Sequence, residues 1–374
     1  MFTSRSIQST LTFRDKIFSI DYILVFSILT LGVISMFAMY STDGGSFAYH
    51  TRSHILRFFV FFSLFIIISF FPIKFWFQSS LIIYFVFFLL LVGVKYFGLT
   101  SSGSQRWINL YVINLQPSEL MKIGLILFLA KYYHRIPVSD VNKFRFLFFP
   151  IICVTAPALL VISQPDLGTA ILIVAGGIIV AWLAGIKFKF FAYISIIFLA
   201  LAPIAISFLK PYQKERILTF LNPDRDPLGA GYQIIQSKIA IGSGGLFGKG
   251  FLNGSQSYLD FLPEKHTDFI FTLFSEEFGF FGSVFILLLY GVILSRIIKI
   301  GHQTRSNFGK LYCYGFAGSF FVYVVVNMGM VLGLLPIVGA PLPIMSYGGS
   351  SMLAIMIGLG IAMSCKIYKD APVN

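Results

Sequence analysis

Charge is scarce in this chain. Only 11% of its 374 residues are Asp, Glu, Lys or Arg, against about 25% in a soluble globular domain. Acids are scarcest, 15 against 28 Lys and Arg, for a formal net charge of +13. Such an excess would suit nucleic acid if it formed a stripe on one face. Here the basic residues are scattered between apolar runs, so no nucleic-acid partner is expected. Cysteine is also scarce. Cys153, Cys313 and Cys365 are odd in number, far apart and set in apolar runs, which excludes a disulfide framework or a cysteine metal site and leaves small packing residues. His50, His54, His134, His266 and His302 show no ligand spacing with Cys or acids. No repeat period, Gly/Ser linker or charge block divides the chain, and no small-residue cleavage site follows the first apolar run. Residues 1–374 therefore read as a single polytopic membrane domain.

What fills the chain is hydrocarbon. It is 57% hydrophobic, with 44 Phe and a mean hydropathy of +0.85. Repeated apolar runs of ~20 residues read as transmembrane helices. Ten spans are expected, near 18–40, 54–72, 76–98, 117–133, 146–163, 167–186, 190–209, 268–294, 312–335 and 345–365. The expected fold is an all-α integral membrane protein of ten transmembrane helices. With the N-terminus inside, sixteen Lys and Arg fall in cytoplasmic segments and four in the short outer ones. That bias orients the chain N-in and C-in. The long segment from Lys210 to Thr267 then becomes one large extracytoplasmic loop, too long for a plain connection. Within it, apolar residues recur at helical spacing from Gly231 to Ile241 (GYQIIQSKIAI). This is a short helix that either lies in the membrane interface or packs on the loop.

The few charges in apolar surroundings are the candidates for chemistry. Asp268 stands where the loop LPEKHTD runs into an apolar helix. An ionisable group at a membrane segment is functional by default, while Asp is also a preferred helix N-cap. Glu276 lies eight residues on, ~12 Å deeper at ~1.5 Å per residue. Glu276 and Glu277 are adjacent and point different ways, so at least one must face protein or a water-filled cavity. Glu119 and Lys122 are spaced i, i+3 and are able to pair on one helix face, either satisfying each other or lining a polar cavity. Asp166, in QPDLGT, is placed to cap the sixth span. The run IGSGGLFGKG fails the Walker pattern, because Gly250 follows Lys249 and Ser243 replaces the first Gly. It is either a flexible turn or a set of backbone N–H groups that, with Lys249, holds a diphosphate. Gly329 and Gly333 form a small-xxx-small pair suited to close helix packing. The Pro- and Gly-rich PIVGAPLPIMSYGG, residues 336–349, implies irregular backbone buried in protein or lining a cavity. Under the expected topology Arg106, Asp166, the long loop, Asp268 and residues 336–349 all meet the outer side.

At these residues the chain resembles a known family. QRWINLYVINLQPSELMKIG, QPDLGTAIL, NPDRDPLGAGYQIIQSKIAIGSGGLFGKG, LPEKHTDFIFTLFSEEFGFFG and LPIVGAPLPIMSYGGSS resemble motifs of the SEDS proteins. LGLLPIVGAPLP and LMKIGLILFLAKYYH look like the RodA branch rather than the FtsW branch. The resemblance implies a peptidoglycan glycosyltransferase with ten membrane helices in the bacterial cytoplasmic membrane. Such enzymes polymerise lipid II into glycan strands at the outer face and work with a class B penicillin-binding transpeptidase. By resemblance Asp268 matches the catalytic aspartate. Arg106, Glu119, Lys122, Asp166 and Lys249 match polar motif positions for substrate binding, and Arg52 is a weaker match within the first hundred residues. The implied reaction inverts an α-linked donor into a β-linked product in a single displacement. A carboxylate base would activate the incoming hydroxyl. Arg, Lys or a divalent cation such as Mg²⁺ or Mn²⁺ would stabilise the diphosphate leaving group. A lipid II flippase is the alternative, since polar residues in a multi-span bundle also serve transport. Transporters, however, place their site near the midplane between inverted repeats, whereas the polar motifs here gather at one surface.

The topology has a direct test. A cysteine introduced at Ser255 is expected to react with an impermeant thiol reagent added to intact cells. Protection until lysis would contradict the N-in orientation.

Overall fold

The computed structural model describes residues 12–101, 104–109, 114–196, 200, 214, 218–220, 222, 230–255 and 264–373. The chain is mostly helical: α1 (Phe13–Phe18), α2 (Tyr22–Thr42), α3 (Tyr49–Ser69), α4 (Ile73–Phe97), α5 (Pro117–His134), α6 (Phe144–Ser163), α7 (Leu167–Leu183), α8 (Ala230–Ser243), α9 (Ile270–Gln303), α10 (Asn307–Val331) and α11 (Gly349–Ile367). Helices stand where nine of the ten spans are expected. Of the span expected at 190–209, residues 190–196 and 200 are helical and the others lie outside the described residues. Seven helices, α2, α3, α4, α6, α9, α10 and α11, are long and apolar enough to cross a membrane. Helix α7 has 17 residues, and α5 carries Glu119, Lys122 and Lys131.

The chain is not purely helical. Between α4 and α5 lies a small antiparallel sheet of β1 (Leu99–Ser101), β2 (Ser104–Asn109) and β3 (Asn114–Leu115) in the order β1-β2-β3. Polar and apolar side chains mix along SQRWIN, and Trp and Ile favour a pleated, half-buried surface. The described part of the 19-residue connection between these two helices closes backbone hydrogen bonds here by pairing strands.

Helix α5 is the hub. Every residue from Pro117 to Ala130 is buried, and α4, α6, α7, α10 and α11 all pack against it. A helix covered on all sides is apolar all round, and Glu119 and Lys122 are the exceptions that need partners.

Helix α9 is broken. Gly279 has φ 63° and ψ −158°, a backbone region that is essentially confined to glycine. The glycine-rich segment after α8 docks into this break. Lys249 N donates to Glu276 O (3.0 Å), Gly250 N to Glu277 O (3.0 Å) and Phe280 N to Gly245 O (2.9 Å). A Cβ at Gly248 would strike Glu277 O, and one at Gly279 would strike Gly248 N. Gly244 and Gly248 of IGSGGLFGKG thus serve close backbone packing across a broken membrane helix.

Helix α8 packs on α9 and α10: Ser237 is buried, its hydroxyl 2.8 Å from Thr272 Oγ1 and donating to Val331 O at 2.6 Å. Gly333 packs closely on α8, where a Cβ would strike Lys238, but it lies past the end of α10. The helix ends at Val331. Gly333, at φ 69°, carries the reversal, with Gly333 N donating to Met330 O (3.0 Å) and Leu334 N to Gly329 O (2.7 Å). That is a Schellman cap, which takes glycine at the left-handed position. Residues 332–348 that follow contain no helix, as their Pro and Gly content implies.

Gly279→Ala is expected to destabilise the protein by ~1–3 kcal/mol from backbone strain alone, with further loss from the lost docking contacts. Thermal unfolding of the purified protein measures it, and an unchanged midpoint would refute the role given to the break.

Candidate functional site

The irregular segment 332–348 gathers the site. Asp268 lies in the turn just before α9, half-buried. The N-cap position of α9 is the next residue, Phe269. Asn327 on α10, fully buried, donates from Nδ2 to Asp268 O (3.0 Å) and to Ala340 O (2.7 Å). One amide thus ties the Asp268 turn to the irregular segment. Gly339 faces Asp268 directly, its Cβ position 3.7 Å from Asp268 Oδ2. Tyr347 N donates to His266 O at 2.8 Å, a second tie between the same two strands of chain.

Asp166 caps α7 as expected, accepting from Thr169 N (3.1 Å) and Thr169 Oγ1 (2.9 Å). It also accepts from Gln116 Nε2 (3.1 Å) and lies 3.7 Å from Arg106 Nη1. Arg106, on β2, donates to Gln164 O and Pro165 O. The sheet is thereby pinned to the turn between α6 and α7, while Arg106 stays 24% exposed. Ser350 closes the same wall, accepting from Gln116 N (2.8 Å) and donating to Asn114 O (3.0 Å).

Glu119 and Lys122 pair at 2.9 Å, both buried. Tyr323 OH donates to both Glu119 oxygens at 3.2 Å and lies 3.2 Å from Ser351 Oγ. The Lys122 ammonium sits 3.9 Å from the centre of the Tyr323 ring. The cavity beside them is only about 10 Å³. In this structure the pair satisfies itself within the bundle core.

Lys249 is held by Glu276. Nζ lies 2.6 Å from Glu276 Oε1, which also accepts from Ser255 N (3.0 Å) and Ser255 Oγ (2.8 Å). Glu276 is fully buried, so the cation and loop 249–255 form its solvation shell. Glu277, also buried, accepts from Ser41 on α2. Both acids thus face protein, and both carboxylates lie against Gly254 of the docked loop. Arg52 is exposed near the start of α3. Its neighbour Arg57 reaches the site instead, 4.7 Å over the Tyr347 ring. Sequence reasoning passed over Arg57 and Asn327. Their signal was a polar residue inside an apolar span, Arg57 about two helical turns from the start of α3 and Asn327 about one turn from the end of α10.

A bundle of apolar helices with a half-buried acid, a cation-bearing sheet and an irregular segment at one mouth defines a polytopic membrane protein whose polar site lies at a helix end. Comparison with known proteins gives the family. The profile of the cell cycle protein family FTSW_RODA_SPOVE matches residues 15–371, and the chain belongs to that family. It is 45% identical over 279 residues to the peptidoglycan glycosyltransferase MrdB of Escherichia coli (strain K12), covering 74% of each chain. It is 35% identical over 369 residues to the stage V sporulation protein E of Bacillus subtilis (strain 168), covering 98% of this chain and 92% of that one. Among solved structures, a chain from work on the coordination of polymerization and crosslinking by a peptidoglycan synthase complex superposes with a TM-score of 0.80 at 31% identity, covering 94% of this chain and 99% of that one. The rod shape determining protein RodA of Thermus thermophilus superposes with a TM-score of 0.70 at 27% identity, covering 94% and 98%.

Lys249→Met is expected to destabilise the protein by ~1–3 kcal/mol, because it strips the cation from a buried carboxylate. In combination with Glu276→Gln much of that loss should return, since the two effects are coupled. Thermal unfolding of the single and double variants checks this. Additive losses would show that the pair does not hold the loop.

Proposed function

We propose that this chain is a peptidoglycan glycosyltransferase of cell elongation that polymerises lipid II at the outer face of the bacterial cytoplasmic membrane, with Asp268 as general base. The observation that carries the reading is the placement of Asp268. It is the acid that the fold leaves half-buried at a helix mouth, its main chain tied by Asn327 and its carboxylate beside Gly339. Asp166, Glu119, Glu276 and Glu277 on this wall are buried, whereas Asp268 is half-buried. The named glycosyltransferase relative and the synthase-complex neighbour support the reaction class.

In the proposed reaction the C4 hydroxyl of one lipid-linked disaccharide attacks the anomeric carbon of the growing chain. The new oxygen–carbon bond forms as the bond to polyprenyl diphosphate breaks, and the hydroxyl proton passes to Asp268. A base must be ionised before it acts, and the positive end of α9 favours the ionised form. Diphosphate needs charge stabilisation more than a proton. Arg106 and Lys249, each partly exposed while paired with Asp166 and Glu276, and the exposed Arg52 are the cations proposed for it, and a divalent cation is a further source. Glu119, Lys122 and Asp166 are buried and hold the walls.

The ten-span, N-in and C-in topology belongs to the same proposal, with loop 210–267 outside beside Asp268. A class B penicillin-binding transpeptidase is the proposed partner. The neighbour from the synthase complex supports it, because that complex joins polymerization to crosslinking.

Asp268→Asn keeps the shape of the side chain and removes its basic oxygen. Polymerisation of lipid II by the purified variant is expected to fall by roughly 100- to 10,000-fold, with folding unchanged. Near-normal polymerisation would reject the base role.

A further inference from the structure

Asp43, His50 and His266 are far apart in sequence and show no ligand spacing, yet the fold brings them together. Asp43 follows the end of α2, His50 lies in the first turn of α3, and His266 stands two residues before Asp268. Asp43 Oδ1 is 3.4 Å from His50 Nδ1 and 3.9 Å from His266 Nδ1. One donor atom from each lies within 4.8 Å of the others, and among the described residues this is where such donors converge. The other Asp43 oxygen is fixed from behind, accepting from Thr51 N (2.9 Å) and Thr51 Oγ1 (2.6 Å). That leaves Oδ1 aimed at the two imidazoles. An outer hydrogen-bonding group that orients a ligating carboxylate is a regular feature of metal sites. Thr42 Oγ1 lies 3.0 Å from His266 Nδ1, a further oxygen at the same point.

We propose that Asp43, His50 and His266 bind a first-row divalent metal ion. Two imidazole nitrogens and one carboxylate oxygen suit Zn²⁺ or Mn²⁺, whereas Mg²⁺ prefers an all-oxygen octahedral shell. The two rings now stack, with centroids 4.1 Å apart and planes at 15°. A bound ion turns each ring so that its nitrogen points at the metal, so the stack opens on binding. Tyr347, packed edge-on against His50 at 5.1 Å and under Arg57 at 4.7 Å, feels that movement. The site bridges α2, α3 and the Asp268 turn, so an ion there would fix the turn and add positive charge beside it. That benefit to the chemistry rests on the proposed glycosyl transfer; metal binding itself does not.

The test is equilibrium dialysis of the tag-free, purified full-length protein against Zn²⁺, Mn²⁺ or Mg²⁺, with the bound metal counted by mass spectrometry. One Zn²⁺ or Mn²⁺ per chain is expected, with Mg²⁺ binding at least tenfold more weakly. Asp43→Asn and His50→Gln should each lose the ion, while Asp268→Asn should keep it. Thermal unfolding with and without Zn²⁺ gives a second readout: the ion should raise the midpoint of the parent and of Asp268→Asn but not of His50→Gln. If the parent binds no more Zn²⁺ or Mn²⁺ than His50→Gln, or if Mg²⁺ binds as tightly as Mn²⁺, the proposal is overturned. If metal binds as expected while Asp268→Asn polymerises normally, the metal site stands and the base role falls.

Discussion

Every carboxylate buried in this bundle must be met by a donor from the protein, because hydrocarbon supplies none. The chain meets that constraint residue by residue. Asp21, at the start of α2, receives Arg296 at 2.6 Å. Glu119 takes Lys122 and Tyr323. Asp166 takes Thr169 and Gln116. Glu276 takes Lys249 and Ser255, and Glu277 takes Ser41. Each pairing joins segments distant in sequence or holds a loop to a helix, so satisfying the acids also fixes how the helices sit.

The break in α9 follows from the same demand. Glu276 and Glu277 are adjacent, and an uninterrupted lipid-facing helix would turn at least one toward hydrocarbon. Loop 244–255 instead lies across the helix and supplies donors to Glu276 from its backbone, Ser255 and Lys249. That approach needs the positive φ of Gly279 and the missing side chain of Gly248. In the fold the glycine-rich run is a clasp on an acid. The Asp268 turn lies at the N-terminal end of the same helix, so the clasp steadies the element that carries it.

Much of the fold was legible in the sequence, since runs of apolar residues announce membrane helices whatever their partners. The Asp166 cap was equally legible, because capping is a local signal. The hydrogen bonds of the Asp268 turn were not. They come from Asn327 and the segment around Gly339, which lie about sixty and seventy residues further on. The same holds for Asp43, His50 and His266, whose spacing carries no metal signature. The sheet between α4 and α5 was missed because its strands are two to six residues long, too short for alternation to register. Gly333 serves both uses of a small residue, close packing on α8 and termination of α10, and spacing alone does not show the second.

The central claim is a division of labour, with the half-buried Asp268 acting in the chemistry and the buried Glu119 and Glu276 spent on structure. Its most direct measurement is a paired one: thermal stability and lipid II polymerisation on the neutral amide variants Asp268→Asn, Glu119→Gln and Glu276→Gln. The expected result is a crossed pattern, in which Asp268→Asn retains the parent's midpoint and loses the rate, while Glu119→Gln and Glu276→Gln lose stability and keep measurable turnover when folded. A variant series in which Asp268→Asn unfolds like the others, or polymerises like the parent, would contradict the division.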